Sequence, residues 1–157
     1  MRNVTNGSMT MWKSFPMVVT FRMVEEFAYM RRDNMKAISI IEPYASLIRE
    51  GIKHIETRSW KTNYRGQIYI HASSTRIPVE YWHLLPLVSE TRKGFIIAKA
   101  NLVDCIEMTD DWIETLSETE KACGFYSAGR YAWILEDIEP IEPIKAKGKL
   151  GLWEVEI

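Results

Sequence analysis

Between Gly51 and Trp60 the chain reads Gly-Ile-Lys-His-Ile-Glu-Thr-Arg-Ser-Trp, which brings an ammonium (Lys53), a carboxylate (Glu56), a guanidinium (Arg58) and an indole (Trp60) into one short block. Lys53 suits a phosphate as a compact point charge with three donors, or, if stripped of water, a general base of lowered pKa. A period-two pattern starts at Ile55, so Glu56, Arg58 and Trp60 share one strand face while Ile55, Thr57 and Ser59 share the other. Lys53 falls in the turn before that strand and can swing over the same opening. The expectation is a shared, accessible recess in which Lys53 and Glu56 are candidate catalytic groups.

Further candidates lie outside this block. Tyr44 offers an aromatic face for stacking or for packing. Glu56 and Arg58 could equally form a mutual ion pair that shapes the cleft, and Trp60 could be a rim aromatic or a stacking platform. Lys61 and Arg65 flank Tyr64 as a basic and aromatic edge able to track a backbone. His71 reads either as an acid or base of the site or as a hydrogen-bonded structural residue. Ser127, Gly129 and Arg130 precede a strand in a loop whose N–H groups could meet a phosphate or simply turn the chain. His54, His71, His83, Cys105 and Cys123 show no metal-ligand spacing, and no phosphate-cradling glycine loop is present, so neither a metal nor an organic cofactor is expected.

These side chains need a scaffold, and the hydrophobic pattern supplies one. Lys36–Ile41 reads as a strand stopped by Glu42-Pro43, Tyr44–Glu50 as a helix closed by Gly51, and Ile55–Trp60 as the second strand. After a turn at Asn63–Gly66, Gln67–Ala72 alternates as a third strand with Tyr69 and His71 on one face. Glu80–Leu87 is a short helix interrupted by Pro86, and Gly94–Met108 carries a long β pattern. Asp110–Cys123 reads as one helix by its caps and acidic first turn. Arg130–Ile138 and Leu152–Ile157 are two further strands, separated by the Pro140 and Pro143 segment. The absence of regular βαβ alternation predicts an α+β fold, a small and mostly antiparallel barrel or curved sheet with inserted helices.

At 157 residues, 46% hydrophobic and 26% charged, the chain has the size of one globular domain and needs no disulfide or metal staple. Two cysteines without close pairing predict free thiols and an intracellular, cytoplasmic setting. Net charge is −1, but residues 36–76 hold seven Lys or Arg against three acids, and residues 77–157 hold eight against fifteen. That split suits a face presented to a polyanion, and mixed solvated surfaces also produce it. Seven of the eight methionines fall at or before Met35, which marks residues 1–34 as an N-terminal extension, poorly ordered or a short helix, ahead of a domain over residues 35–157. Charges at Lys13, Arg22, Glu25 and Glu26 make the extension a poor membrane span.

Taken in order, these segments resemble an activating signal cointegrator homology (ASCH) domain, a branch of the PUA-like superfamily of small β-barrels with flanking helices. Ala37-Ile38-Ser39-Ile40 followed by Glu42-Pro43-Tyr44-Ala45-Ser46-Leu47-Ile48 resembles the family's LSI-x-QPWASLI entry, and Gly51, Lys53, Glu56 and Arg58 match its signature G-x-K-x-x-E-x-R. Arg65-Gly66 with Ile70-His71-Ala72-Ser73, then Leu102-Val103-Asp104-Cys105, then Lys147-Gly148 with Trp153 resemble its later strands. Glu42 and Tyr44 stand where the family commonly has Gln and Trp.

The resemblance implies ligands that are RNA, single-stranded nucleic acid or nucleosides, bound without a membrane. It also implies a second possibility, because some ASCH-like proteins deacetylate N4-acetylcytidine with a lysine and a threonine of this signature and others are described as ribonucleases. Lys53 carries over, whereas Glu56 occupies the threonine's place and Thr57 faces the other side of the strand. A carboxylate and lysine pair could still activate water or a ribose hydroxyl. A protein-interaction adaptor is the third reading.

Overall fold

The computed structural model describes residues 35–155, which lie within one compact unit, Asn34–Ile157. The extension expected over residues 1–34 lies outside the described residues. Six strands, β1 (Lys36–Ile40), β2 (Ile55–Arg58), β3 (Gly66–Ala72), β4 (Phe95–Glu107), β5 (Tyr131–Lys145) and β6 (Leu152–Glu154), form one sheet in the order β2-β5-β4-β3-β1-β6. β1 and β3 run parallel, and the other four pairings are antiparallel. The sheet curls into a half-barrel with a few helices, a mixed α+β architecture of the kind expected.

Period two decides what each strand buries. Ile38 and Ile40 of β1 and Ile68 and Ile70 of β3 join Ile97, Leu102, Trp133 and Leu135 in the main core. Helix α1 (Tyr44–Arg49) adds Ala45 and Ile48 to that core. The residues that alternate with the β1 and β3 isoleucines, namely Ala37, Ser39, Tyr69 and His71, take the opposite face, where Trp153 of β6 packs.

The start of α1 explains one departure from the family pattern. Glu42 is fully buried, and its carboxylate accepts from Ser46 N (3.0 Å), Ser46 Oγ (2.9 Å) and Arg92 N (3.0 Å). Three donors suit an acceptor-only carboxylate, which caps the helix and ties it to the segment before β4. The helix ends where expected, with Gly51 at φ +70°.

Two expectations are corrected. The single helix over 110–123 is two, α2 (Asp110–Glu114) and α3 (Glu118–Ala122), because Ser117 accepts from Glu120 N and caps a second start. The segment holding Pro140 and Pro143 continues β5 rather than ending it. β2 pairs β5 only over Tyr131–Ile134, so beyond that stretch β5 has β4 alone as a partner, and a proline there forfeits no second ladder bond. Glu80–Leu87 takes 3₁₀ form over Val79–Leu87. Cys105 and Cys123 are buried free thiols. Among the described residues, no helix is long and apolar enough to cross a membrane.

Candidate functional site

The signature strand β2 splits its chemistry between two environments. Its alternation holds, since Arg58 Nε lies 3.1 Å from Glu56 Oε1 on the same face. The N–H of that nitrogen is not aimed along the contact, so the pair is held by charge, and Arg58 Nη2 instead donates to Ser39 O at 2.7 Å. The accessible recess expected to collect Lys53, Glu56 and Arg58 does not form as one space. Lys53 is 1% exposed and Glu56 8%.

Lys53 turns inward because its partners come from far down the chain. Its Nζ donates to Tyr126 Oη at 3.2 Å and stands 3.7 Å from Glu120 Oε1, with the Tyr44 and Tyr126 rings 5.6 and 5.2 Å away. Burial pushes the Lys53 pKa down, and the nearby carboxylates of Glu56 and Glu120 partly counter it. The Tyr126 hydroxyl donates to Glu120 Oε1 at 2.6 Å, and its pKa is driven far up by burial first and that hydrogen bond second. Tyr44, whose ring lies 5.0 Å from Tyr81, has its pKa pushed up to about 12, mainly by burial. Both phenols are therefore neutral donors near Lys53. Gly124 closes the cluster, since a Cβ there would sit 2.8 Å from Lys53 Nζ and 2.6 Å from the Tyr126 ring.

Glu120 also guards a sheet edge. Its carboxylate accepts from His54 N (2.9 Å) and Ile55 N (3.2 Å), Tyr126 Oη lies 3.4 Å from Ile55 O, and Arg130 Nη2 reaches Thr57 O at 3.4 Å. β2 is an outer strand of the sheet, and these side chains cover its outward backbone groups.

The open space is elsewhere. A cavity of about 520 Å³ is lined by Ser39, Arg58, His71, the loop Ser73–Thr75 and the loop Lys147–Gly151. Its lining holds three cations (Arg58, Lys147, Lys149) and four hydroxyls (Ser39, Ser73, Ser74, Thr75), and no carboxylate. His71 forms part of the wall, with Nδ1 3.1 Å from Ser39 Oγ and Nε2 3.1 Å from Ala146 O. Burial holds its pKa below the ordinary value, opposed by the Ala146 carbonyl. Trp153 Nε1 donates to Ser39 Oγ at 3.1 Å, and Gly148 presses so close that a Cβ would be 2.6 Å from His71 Cε1.

Other sequence candidates fall apart from both places. Trp60 packs edge-on against Trp133 at 4.7 Å. Arg65 is engaged by Thr62 O, Tyr64 O and Asp104, while Lys61 is exposed. Ser127 O accepts from Arg130 N and Gly129 N donates to Met108 O, which makes this loop a turn at the strand ends, with Arg130 against Phe125 at 5.1 Å. Sequence reasoning missed Ser39, Glu120, Tyr126 and Lys149. Only Glu120 left a local trace, in the Ser117-x-x-Glu120 capping pattern. No group of three or more His, Cys, Asp or Glu among the described residues is placed to hold a metal ion.

Comparisons with known proteins bear on this arrangement. The ASCH domain family matches residues 38–145. Activating signal cointegrator 1 of Homo sapiens is 30% identical over 81 residues, covering 44% of this chain, and the Mus musculus protein is 31% identical over the same length. The match spans 14% of the length of those relatives. The crystal structure of an ASCH protein from Zymomonas mobilis aligns with a TM-score of 0.52 at 21% identity, covering 78% of this chain and 88% of that one. A tyrosine-to-phenylalanine variant of the same protein aligns with the same score over 91% of its length. The structural likeness concerns the fold, and the family match takes in β2 with its Lys53, Glu56 and Arg58 signature: the chain belongs to the ASCH domain family.

Proposed function

We propose that this domain binds single-stranded RNA or a nucleotide, with a phosphate entering the cavity between Ser73–Thr75 and Lys147–Gly151. The observation that carries this reading is a lining with three cations, four hydroxyls and no carboxylate in a chain whose net charge is −1. Glu56 offsets Arg58, so Lys147 and Lys149 chiefly attract phosphate and release its counterions, and the hydroxyls supply neutral donors. The volume falls within the range of about 300–1,000 Å³ typical of small-ligand sites. Of the residues singled out in the sequence, Arg58 and His71 belong to this wall.

Fluorescence anisotropy of a labelled single-stranded RNA, repeated from low to physiological salt, tests the reading. Wild-type affinity is expected to fall with salt. Lys147→Ala and Lys149→Ala should each weaken binding and flatten the salt slope by roughly 0.7. Salt-independent affinity, or none for RNA or a mononucleotide, would sink the proposal.

A hydrolase reading is favoured by one observation, the buried Lys53 amine with its pKa pushed down beside Glu56, Tyr44 and Tyr126. Catalysis there would require Gly124–Tyr126 to move aside. Cytidine release from N4-acetylcytidine and cleavage of labelled RNA are the assays. Equal rates for wild type and Lys53→Ala in both would remove Lys53 from any mechanism.

A further inference from the structure

Hydrogen-bond directions along the cavity wall are fixed by chemistry. Ala146 O can only accept, so His71 Nε2 carries the ring proton and Nδ1 is the acceptor. Trp153 Nε1 can only donate, so Ser39 Oγ accepts from it and gives its own proton to His71 Nδ1. The chain therefore runs from Trp153 through Ser39 and His71 to Ala146. Ser39 lines the cavity, yet its hydroxyl proton is turned away from any occupant.

One added proton reverses the middle bond. An imidazolium has two donors, so Nδ1–H would donate to Ser39 Oγ, whose second lone pair still takes the Trp153 N–H. The hydroxyl proton is then free to turn into the cavity. We propose that the cavity admits an oxyanion together with one proton, which settles on His71 Nδ1 and frees the Ser39 hydroxyl to donate to the anion. This rests on the phosphate-binding reading above and specifies how the site changes on filling.

The charged groups around His71 make the two events cooperate. β2 contributes Arg58, the loop after β5 contributes Lys147 and Lys149, and Glu56 is tied to Arg58. β4 sets Ile96 opposite His71 in register, and β6 sets Trp153 against its ring at 5.7 Å. β1 contributes the neutral Ser39. Without an anion, a third kind of cation would join three others in a wall that offers no carboxylate, and burial already favours the neutral ring. An anion reverses that balance, and by linkage the proton must then strengthen anion binding equally.

Sulfate is the probe, because it keeps its charge across the neutral range. Calorimetric titration of the whole chain with sulfate, in two buffers of different ionisation heat, should show uptake of about one proton, and affinity rising up to about tenfold per pH unit as pH falls through the His71 range. NMR titration of the wild-type imidazole should find its midpoint higher in saturating sulfate than without it. His71→Gln should abolish the pH slope. If that variant does not fold, the NMR midpoint alone decides. Sulfate binding with no proton uptake and an unmoved midpoint overturns the inference, as does failure to bind sulfate at any pH. If RNA still binds while sulfate fails either test, the function survives and only the proton coupling falls. Proton-coupled sulfate binding without RNA or nucleotide binding would support this inference and remove the function.

Discussion

Lys53 and Arg58 stand five residues apart in one signature, yet one is sealed and the other faces an open cavity. The difference lies in what surrounds them. Lys53 meets a carboxylate and two phenols, and packing closes over it. Arg58 keeps Glu56 at 3.1 Å but shares the cavity wall with Lys147 and Lys149, and that wall holds three cations and no carboxylate of its own. A cluster that satisfies itself contributes to folding, while one left short of negative charge is set up to bind.

The largest expected effect comes from breaking the sealed side. Glu120→Ala removes the acceptor for His54 N, Ile55 N and the Tyr126 hydroxyl and strips Lys53 of its nearest counter-charge. Urea unfolding should show a loss of about 3–5 kcal/mol, as for a broken buried pair. A loss below about 1 kcal/mol would mean the ammonium does not depend on this carboxylate.

Next come two glycines, one in each region. Gly124→Ala drives a methyl against Tyr126 and Lys53 and should cost about 1–3 kcal/mol, read as a fall in Tm. Gly148→Ala meets His71 and Ser39 as closely, but its loop borders open space and can lift. It should therefore lower Tm less while weakening sulfate binding more. Equal thermal losses with binding intact would erase the contrast.

The smallest effect is a pH dependence. The folded state holds His71 below its ordinary pKa of 6.5, so the unfolded chain binds the extra proton more readily. The His71 contribution is therefore complete above about pH 6.5 and declines as pH falls toward the folded midpoint. Unfolding free energies measured across that window should lose part of their slope in His71→Gln, and an unchanged slope would show that His71 is not what senses acid.

Much of the frame was legible because it is local. Ile38 and Ile40, the helix ending at Gly51 and the alternation through Glu56 and Arg58 follow from near neighbours. The fate of Lys53 was not, since Tyr126 lies 73 residues away and no local pattern announces it. The break between α2 and α3 was hidden because Ser117 suits a helix start only if the preceding turn has already ended. The prolines of β5 read as breakers because a sequence does not show which side of a strand lacks a partner. The cavity escaped for a similar reason, as its cations are split between β2 and the loop before β6.

The covered border of β2 has an effect beyond the site. With Glu120 on the N–H groups of Ile55 and of His54 just before it, and Arg130 on a carbonyl, that margin gives an incoming extended segment few places to zip on. Growth of the sheet past this margin is thus blocked by the same carboxylate that steadies Lys53, so damage to that one acid should show up as stickiness between copies as well as lost stability.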